Sequence, residues 1–490
     1  MREFDIVIIG GGPGGYVAAI RGAQLGAKVA LVEREAVGGT CLNRGCIPTK
    51  ALYYSAKTLI SARHAAEFGV NISGLSFDLA KAVTRKEGVV RQLVGGVEQL
   101  LKANKVEVLR GAGFIESAGK VRVTMADGGV ETITANKAII IATGSEPAMI
   151  PAFNIDKKSI LTSTEILELR EVPRSLLIIG GGVMGCEFAT LFSAFGSSVT
   201  IVELLPSILA LEDKLVSRVI LKRFKETGVN VLTEVSVDSV EATDAGVKTR
   251  LKDGREFLTE KALVSIGRSF NSKGIGLEGL GVAMERTAIS VNDRMETNVK
   301  GVYAIGDVTG KMLLAHVASA QGIVAVSNAL GKAVTMDYSA IPGGIFTDPE
   351  IASVGLREKD AATQGIPVVV GRFPYAASGK AIGMGETDGF VQMVADPGTD
   401  KVLGCSIVGA HATDLLGEVT LAVKSGVKVK DIAETVHAHP TLPEIVMEAS
   451  EDVHGTAIHK VSRSASVTKK IDKLLSNSDT VLKKINKALE

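Results

Sequence analysis

Two glycine-rich loops of one pattern, about 170 residues apart, constrain the fold of this 490-residue chain most strongly. The first glycine of such a loop makes a tight turn, the second lets the backbone approach a pyrophosphate, and the third lets a helix pack on a strand. Each loop lies between an apolar run and an apolar-periodic segment that leads to a second apolar run, which predicts two dinucleotide-binding folds. The loop glycines are Gly10, Gly12 and Gly15 in the first fold and Gly180, Gly182 and Gly185 in the second.

An acidic residue ends the second predicted strand of each fold, namely Glu33 and Glu203. A carboxylate at this place hydrogen-bonds a ribose hydroxyl of the dinucleotide. Glu203 would also repel a 2′-phosphate, and the segment Leu204–Pro206 offers no arginine to receive one. The second fold is therefore predicted to bind NAD rather than NADP.

Composition restricts the class of protein. The formal net charge of +1 gives no sign of a nucleic-acid partner, and four cysteines are too few for a secreted disulfide framework. No apolar run reaches the ~20 residues of a membrane span, and the first residues lack the features of a signal peptide. A cytoplasmic enzyme is expected, with no metal site.

Cys41 and Cys46 are five positions apart in the segment Gly38–Lys50. In a regular helix their Cα atoms would be about 8 Å apart, beyond the ~7 Å that a disulfide tolerates. Glycines at the start and inside the segment can supply the bend that a bridge requires, and Pro48 suits the first turn of a helix that begins near Cys46. The sequence thus indicates a strained, redox-active disulfide, or alternatively two unpaired loop cysteines.

The His439–Glu444 pair and Asp307 each allow a functional and a structural interpretation. His439 and Glu444 are separated by two prolines, a spacing that suits an oriented general base or a purely structural pair. Asp307 follows a buried strand, where it can bind a polyol hydroxyl or cap the following turn.

The segments Gly38–Lys50 and His437–Glu444 resemble the flavoprotein disulfide reductases of the pyridine nucleotide-disulfide oxidoreductase family, class I, and among them the dihydrolipoamide dehydrogenases. The resemblance implies an α/β chain with two Rossmann-like domains and a C-terminal α+β dimerisation domain. It places FAD in the first fold and NAD in the second. It also implies a homodimer that oxidises protein-bound dihydrolipoamide, presented by lipoyl domains of a 2-oxoacid dehydrogenase or glycine-cleavage assembly.

The resemblance also sets domain boundaries. The expected ranges are 1–148 for a first FAD-binding part, 149–270 for an NAD-binding domain and 271–341 for a central domain that completes the FAD site. An interface domain is expected at 342–460 and a basic amphipathic tail at 461–490. The tail is interpreted as an appendage on its own dimer or partly frayed, with docking on a partner or membrane surface as the alternative.

By the same resemblance, Cys41 exchanges with the substrate dithiol and Cys46 faces the flavin. Lys50 lies near the flavin and pairs with Glu187. Cys186 and Cys405 match no catalytic position and are predicted to be core thiols.

His439 would then take the substrate proton, and Glu444 would hold its imidazole. The remaining cofactor-binding residues implied are Thr40, Lys50, Gly113, Thr143, Gly144, Ser145, Asp307 and Ala315 for FAD, and Val237 and Gly267 for NAD. The alternatives are a glutathione-type or mercuric reductase of the same superfamily, or a flavin-bound scaffold subunit without activity.

Overall fold

The computed structural model describes residues 2–461, which form two compact units. The first unit runs to Ile208 and resumes over Thr227–Asp337, and the second comprises Leu209–Glu226 and the chain from Tyr338. The predicted tail lies outside the described residues apart from Val461. The predicted domain boundaries divide the chain more finely than these two units and stay predictions.

The helices and strands alternate along most of the described chain. The α-helices are α1 (Pro13–Gln24), α2 (Gly39–Arg44), α3 (Cys46–Arg63), α4 (Leu79–Ala103), α5 (Val183–Phe195), α6 (Lys214–Glu226), α7 (Leu277–Leu280), α8 (Ala315–Ala329), α9 (Glu358–Gln364), α10 (Gly379–Met384), α11 (Ala412–Ser425), α12 (Val429–Ala433) and α13 (Glu444–Val453). The strands are β1 (Arg2–Ile9), β2 (Val29–Glu33), β3 (Glu107–Ser117), β4 (Lys120–Met125), β5 (Val130–Ile141), β6 (Ser145–Pro147), β7 (Ile160–Leu161), β8 (Ser175–Ile179), β9 (Ser198–Val202), β10 (Asn230–Leu232), β11 (Val237–Thr243), β12 (Gly246–Leu251), β13 (Glu256–Thr259), β14 (Lys261–Val264), β15 (Arg268–Phe270), β16 (Met284–Glu285), β17 (Ala288–Ile289), β18 (Val302–Ala304), β19 (Gly343–Ile345), β20 (Glu350–Gly355), β21 (Val369–Pro374), β22 (Phe390–Ala395) and β23 (Val402–Gly409).

The first glycine loop follows the central strand of a parallel layer in the order β3-β2-β1-β5-β18. Strand β4 joins β3 and β5 in an antiparallel meander. Val7 of β1 lies opposite Ala30 on one side and Ile139 on the other, and all three are fully buried. The continuous apolar run in β1 forms such a strand because both faces of a parallel sheet are covered.

The second glycine loop belongs to a separate five-stranded parallel sheet, in the order β10-β9-β8-β14-β7. Strand β8 precedes the loop, α5 follows it, and β9 pairs with β8 in parallel, as predicted for a dinucleotide fold. Helix α5 begins at Val183, before the third glycine of the loop. In both folds the third loop glycine therefore lies inside the helix rather than before it.

The second unit contains a five-stranded antiparallel sheet in the order β19-β20-β23-β22-β21. Helices α11 and α13 pack on this sheet over a core that includes Tyr375, Ile407 and Ile445. Segregated helices on an antiparallel sheet define an α+β unit. Together with the two parallel sheets, this is the predicted fold class.

Candidate active site

The cysteine pair lies on two helices that meet at a break. Helix α2 carries Cys41 and ends before Gly45, whose backbone angles (φ −141°, ψ −110°) are not helical, and α3 begins at Cys46. A Cβ atom at Gly45 would lie 3.0 Å from the carbonyl oxygen of Thr40, so the backbone of α2 leaves little room for a side chain at this break. The predicted bend between the cysteines is confirmed.

The two sulfur atoms lie within hydrogen-bonding reach of each other, and both residues are thiols in this structure. The hydrogen bond from the Cys41 thiol, assisted by the Lys50 ammonium, lowers the pKa of Cys46 to about 7. The same hydrogen bond, together with burial, raises the pKa of Cys41. The pair therefore carries its negative charge on Cys46, which is the exposed member.

Lys50 and Glu187 form an ion pair between the two glycine-loop folds. The Lys50 Nζ lies 3.0 Å from each carboxylate oxygen of Glu187, whose side chain is 1 % exposed. Lys50 is on α3, one turn after Cys46, and Glu187 is in the first half of α5. This pair, predicted from the resemblance, fixes α3 to the helix that follows the second glycine loop.

The glycine loops have the shape that a pyrophosphate requires. Gly10 has φ +106°, and a Cβ atom at Gly15 would lie 1.8 Å from the Gly10 carbonyl oxygen. Gly12, in contrast, has only the Cα atom of Gly39 near it, at 3.8 Å. No side chain caps the N-terminus of α1, so its first amides face this open space.

The second loop repeats this geometry. Gly180 has φ +107°, and a Cβ atom at Gly185 would lie 1.9 Å from the Gly180 carbonyl oxygen. Gly182 has no atom within 4 Å of the place its Cβ would take, and it precedes an α5 N-terminus without a side-chain cap. The chain thus fits a dinucleotide at both loops.

The two acidic residues at the ends of β2 and β9 accept backbone hydrogen bonds on both carboxylate oxygens. One oxygen of each binds the middle of its glycine loop and the other binds the segment after the strand. The donors are the amides of Gly11 (2.6 Å) and Glu35 (2.7 Å) for Glu33, and of Gly181 (2.5 Å) and Leu205 (2.7 Å) for Glu203. A carboxylate has about four acceptor positions, so a ribose hydroxyl still finds room. The sequence argument missed this structural role.

Asp307 lies in a short 3₁₀ turn after β18 and does not act as the cap of that turn. Its carboxylate accepts a hydrogen bond from the hydroxyl of Ser145 and lies 3.7 Å from the Arg268 guanidinium. Arg268 in turn donates to the Ser145 hydroxyl at 2.6 Å and to the Ser145 carbonyl at 2.7 Å. Burial lowers the pKa of Arg268, although the charge of Asp307 opposes this shift. Arg268 was missed as a site residue; its place directly after Gly267 was the available signal.

The other predicted cofactor residues are spread over the first unit. Ala315 is the first residue of α8, where no side chain caps the helix, and the Thr143 hydroxyl donates to the Asn271 carbonyl at 2.7 Å. Val237 begins β11 and packs against the apolar core of the second fold. The remaining four are Thr40 on α2, Gly113 in β3 against Ile9, Gly144, with φ +70°, and Gly267, with φ +122°, after β14. Their cofactor contacts stay predictions.

His439 and Glu444 lie together in the second unit. The Nδ1 of His439 is 2.8 Å from Oε1 of Glu444, and the Thr441 amide donates to the other carboxylate oxygen at 2.7 Å. Burial opposes the ionisation of Glu444, but the Thr441 amide and His439 outweigh it and lower the pKa of this carboxyl. The His439 side chain is 79 % exposed, so its ring is oriented and accessible, as a general base requires.

Cys186 and Cys405 are buried, and burial raises the pKa of both thiols. The Cys186 sulfur donates to the Gly181 carbonyl at 3.3 Å. Both are core thiols, as predicted. Among residues 2–461, no cluster of three or more metal-ligating side chains occurs.

Comparison with known proteins defines the family. Residues 4–322 match the pyridine nucleotide-disulphide oxidoreductase family, and residues 341–450 match its dimerisation domain. The chain belongs to this family. Dihydrolipoyl dehydrogenase of Chlamydia muridarum is 46 % identical over 462 residues, which cover 94 % of this chain and 98 % of that protein. The Bacillus subtilis dihydrolipoyl dehydrogenase is 43 % identical, over 93 % and 99 % of the two chains.

Two solved structures have the same fold as this chain. LpdA from Mycobacterium tuberculosis superposes with a TM-score of 0.87 at 29 % identity, covering 92 % of this chain and 99 % of that one. The copper complex of RclA, an HOCl-induced flavoprotein disulfide reductase from Escherichia coli, gives a TM-score of 0.84 at 27 % identity over 92 % and 99 %.

Family membership confirms the predicted class of enzyme and its use of FAD and NAD(H). The matched dimerisation domain supports a homodimer. In the described part of the chain, no helix combines the length and apolar character needed to cross a bilayer.

Proposed function

We propose that this enzyme oxidises the dihydrolipoyl groups of a partner protein to lipoyl groups and reduces NAD⁺. The observation that carries the proposal is the Cys41–Cys46 pair, whose neighbouring sulfurs lie on either side of the break between α2 and α3. The pKa of Cys41 is raised and that of Cys46 is lowered. Relatives named dihydrolipoyl dehydrogenase that align along nearly the whole chain support it.

The thiol–disulfide step begins with the oxidised pair. His439 takes the proton of one substrate thiol, and the resulting thiolate attacks the sulfur of Cys41 and expels the Cys46 thiolate. The second substrate sulfur then closes the lipoyl ring, and its proton passes to the departing Cys41 sulfur. Two electrons and two protons thus leave the substrate: the protons end on His439 and Cys41, and the disulfide becomes a dithiol with Cys46 ionised.

The pKa values of the two cysteines suit these roles. A lowered pKa makes Cys46 the better leaving group, because the thiolate of lower pKa leaves faster. A raised pKa keeps Cys41 protonated after the exchange, so it does not attack the product disulfide. Glu444 holds the His439 tautomer and stabilises its protonated form.

Two cofactor sites complete the proposal. The first glycine loop would hold FAD and the second NAD⁺, and these groups would supply the redox chemistry that carries the electrons of the dithiol to NAD⁺ as hydride. The chain's own contribution is to orient both molecules through the α1 and α5 amide groups and to hold α3 against α5 through Lys50 and Glu187.

The partners belong to the proposal as well. The substrate arm would be carried by lipoyl domains of a 2-oxoacid dehydrogenase or glycine-cleavage assembly. Each active site would combine the cysteines of one subunit with the His439 of the other. The enzyme would work in the cytoplasm, where reduced thiols are maintained.

The decisive experiment compares NADH-driven reduction of lipoamide with that of glutathione disulfide by the FAD-loaded enzyme. Lipoamide should be the much better substrate, and Cys41→Ser should abolish its reduction. A preference for glutathione disulfide would assign the chain to another reductase, and no turnover with either would support an inactive flavoprotein subunit.

A further inference from the structure

A second histidine, two residues before His439, is held at both ring nitrogens. His437 lies on the turn between α12 and α13, and its side chain is 7 % exposed. Its Nδ1 lies 2.8 Å from the carbonyl oxygen of Thr435, and its Nε2 lies 3.1 Å from Oε1 of Glu418 on α11. The proposed mechanism gives His437 and Glu418 no role.

Both oxygens that face the His437 ring are acceptors. A neutral imidazole carries one N–H group and donates one hydrogen bond, whereas the doubly protonated ring donates two. Both contacts are hydrogen bonds only when His437 is an imidazolium. Its bond to Glu418 is then charge-assisted, and such bonds are roughly twice as strong as neutral ones.

The turn that carries His437 has few other attachments before His439; one is the Thr441 hydroxyl, which donates to the Ala438 carbonyl at 2.6 Å. Val436 is 95 % exposed within its own chain, so apolar packing inside the subunit does not hold this stretch. The Thr435 hydroxyl donates to the Asp431 carbonyl at 2.6 Å, which anchors the start of the turn to α12. The His437–Glu418 pair adds an attachment to α11, directly before the residue whose ring must meet the substrate.

We infer that His437 and Glu418 form a positioning pair that fixes the turn on α11 and so places the His439 ring for proton transfer. The inference rests on the proposed function, since the proton comes from a dihydrolipoyl thiol. Reduction of the enzyme by NADH removes no proton from a substrate thiol. Loss of the pair should therefore slow the half-reaction with dihydrolipoamide and leave the half-reaction with NADH unchanged.

The test measures both half-reactions by stopped-flow flavin absorbance in the FAD-loaded full-length enzyme. Glu418→Ala should reduce the rate with dihydrolipoamide about tenfold, since small misplacements of a catalytic group cost up to about 10². Glu418→Gln should restore most of that rate, because its amide N–H can donate to Nε2 of a neutral His437 while Nδ1 still donates to Thr435. The rate with NADH should match the wild type in both variants.

Asp414→Asn is the matched control. Asp414 lies on α11 and faces His411 at 3.3 Å, so the variant removes the acid of another histidine pair on the same helix. It should leave both rates unchanged. If Glu418→Ala keeps the wild-type rate with dihydrolipoamide, or slows both half-reactions equally, the positioning role is wrong. A wild-type enzyme that NADH reduces but dihydrolipoamide does not would overturn the proposed function, and the inference with it.

Discussion

At the scale of single residues, the asymmetry of the two cysteines is the property most closely tied to chemistry. The Cys41 hydrogen bond and the Lys50 charge together hold the pKa of Cys46 at about 7. Titration of such a coupled pair belongs to both members, and here the first proton is lost with the charge on Cys46. Lys50, on the next helical turn, therefore favours the ionised form of Cys46 in the reduced enzyme.

Replacing Lys50 by methionine tests the effect of its charge on the pKa of Cys46. The Cys46 pKa should rise by about one unit, because removing a nearby opposite charge disfavours the thiolate. The pH dependence of Cys46 alkylation by iodoacetamide in the reduced enzyme, followed by peptide mass spectrometry, measures the shift. Lys57→Met, two turns further along α3, should leave the midpoint where it is. An equal midpoint in Lys50→Met and wild type would contradict the role of the Lys50 charge.

Glu203 provides a second residue-scale prediction. Glu203→Gln removes the charge that repels a 2′-phosphate but keeps one oxygen to accept from the Gly181 or Leu205 amide. The ratio of kcat/KM for NAD to that for NADP should fall by about tenfold, with the fold retained. Steady-state kinetics with both cofactors and the melting temperature measure the two effects. Equal use of NAD and NADP by the wild-type enzyme would refute the assignment.

At the scale of structural elements, each junction between a glycine loop and its helix contains two glycines with different roles. One is required for folding and the other for binding the ligand. A Cβ atom at Gly185 would collide with the Gly180 carbonyl, whereas one at Gly182 would enter open space. The two substitutions to alanine are chemically identical and lie three residues apart. They should nevertheless fail in different ways.

Gly185→Ala should lower stability by about 1–3 kcal/mol or prevent folding, as an overpacked contact does. Gly182→Ala should keep the melting temperature and the bound FAD but raise the KM for NADH several-fold, because its methyl group takes space that the pyrophosphate requires. Thermal unfolding and steady-state kinetics distinguish the two. A normal KM for NADH in Gly182→Ala would mean that the pyrophosphate does not approach this loop.

The sequence predicted these junctions well because their signals are local. Strand, glycines, helix and acid all fall within about 30 residues, and the break at Gly45 lies between the cysteines that require it. The partners of Asp307 were not predictable in this way, since Ser145 is 162 positions away and joins it only in the folded chain. The same holds for His437 and Glu418, which are 19 positions apart on different elements. The spacing of residues along the sequence therefore predicts the glycine loops and the cysteine pair. The hydrogen-bond partners of Asp307 and His437 are known only from the folded chain.

At the scale of the whole molecule, the reactive groups are divided between the two units. The cysteines and both glycine loops belong to the first unit, and His439 and Glu444 belong to the second. The proposed active site joins the first unit of one subunit to the second unit of its partner. A dimer is then the smallest active species.

Mixed dimers test this arrangement. Cys41→Ser should abolish turnover, and His439→Gln should lower it by about 10² to 10⁴, the range of general-base catalysis. In a dimer with one subunit of each variant, one site carries both lesions and the other carries neither. Refolding the two variants together should restore activity, to about half of normal per mixed dimer. No recovery, with FAD-loaded mixed dimers verified by native mass spectrometry, would place His439 in its own subunit's site.

Leu209–Glu226 belongs to the second unit although it lies between two stretches of the first unit in the sequence, and this affects how the gene can recombine. This stretch supplies partners to side chains encoded more than 120 codons downstream, in the contacts Glu212–Arg357 (2.9 Å), Asp213–Gln392 (2.8 Å) and Arg223–Asp348 (2.6 Å). Recombination that moved only the gene segment from Tyr338 onward into a gene without acids equivalent to Glu212 and Asp213 would leave Arg357 and Gln392 without these buried acceptors, at a cost of about 1–3 kcal/mol each. An exchanged dimerisation region should therefore keep its stability better when the gene segment for Leu209–Glu226 is exchanged with it.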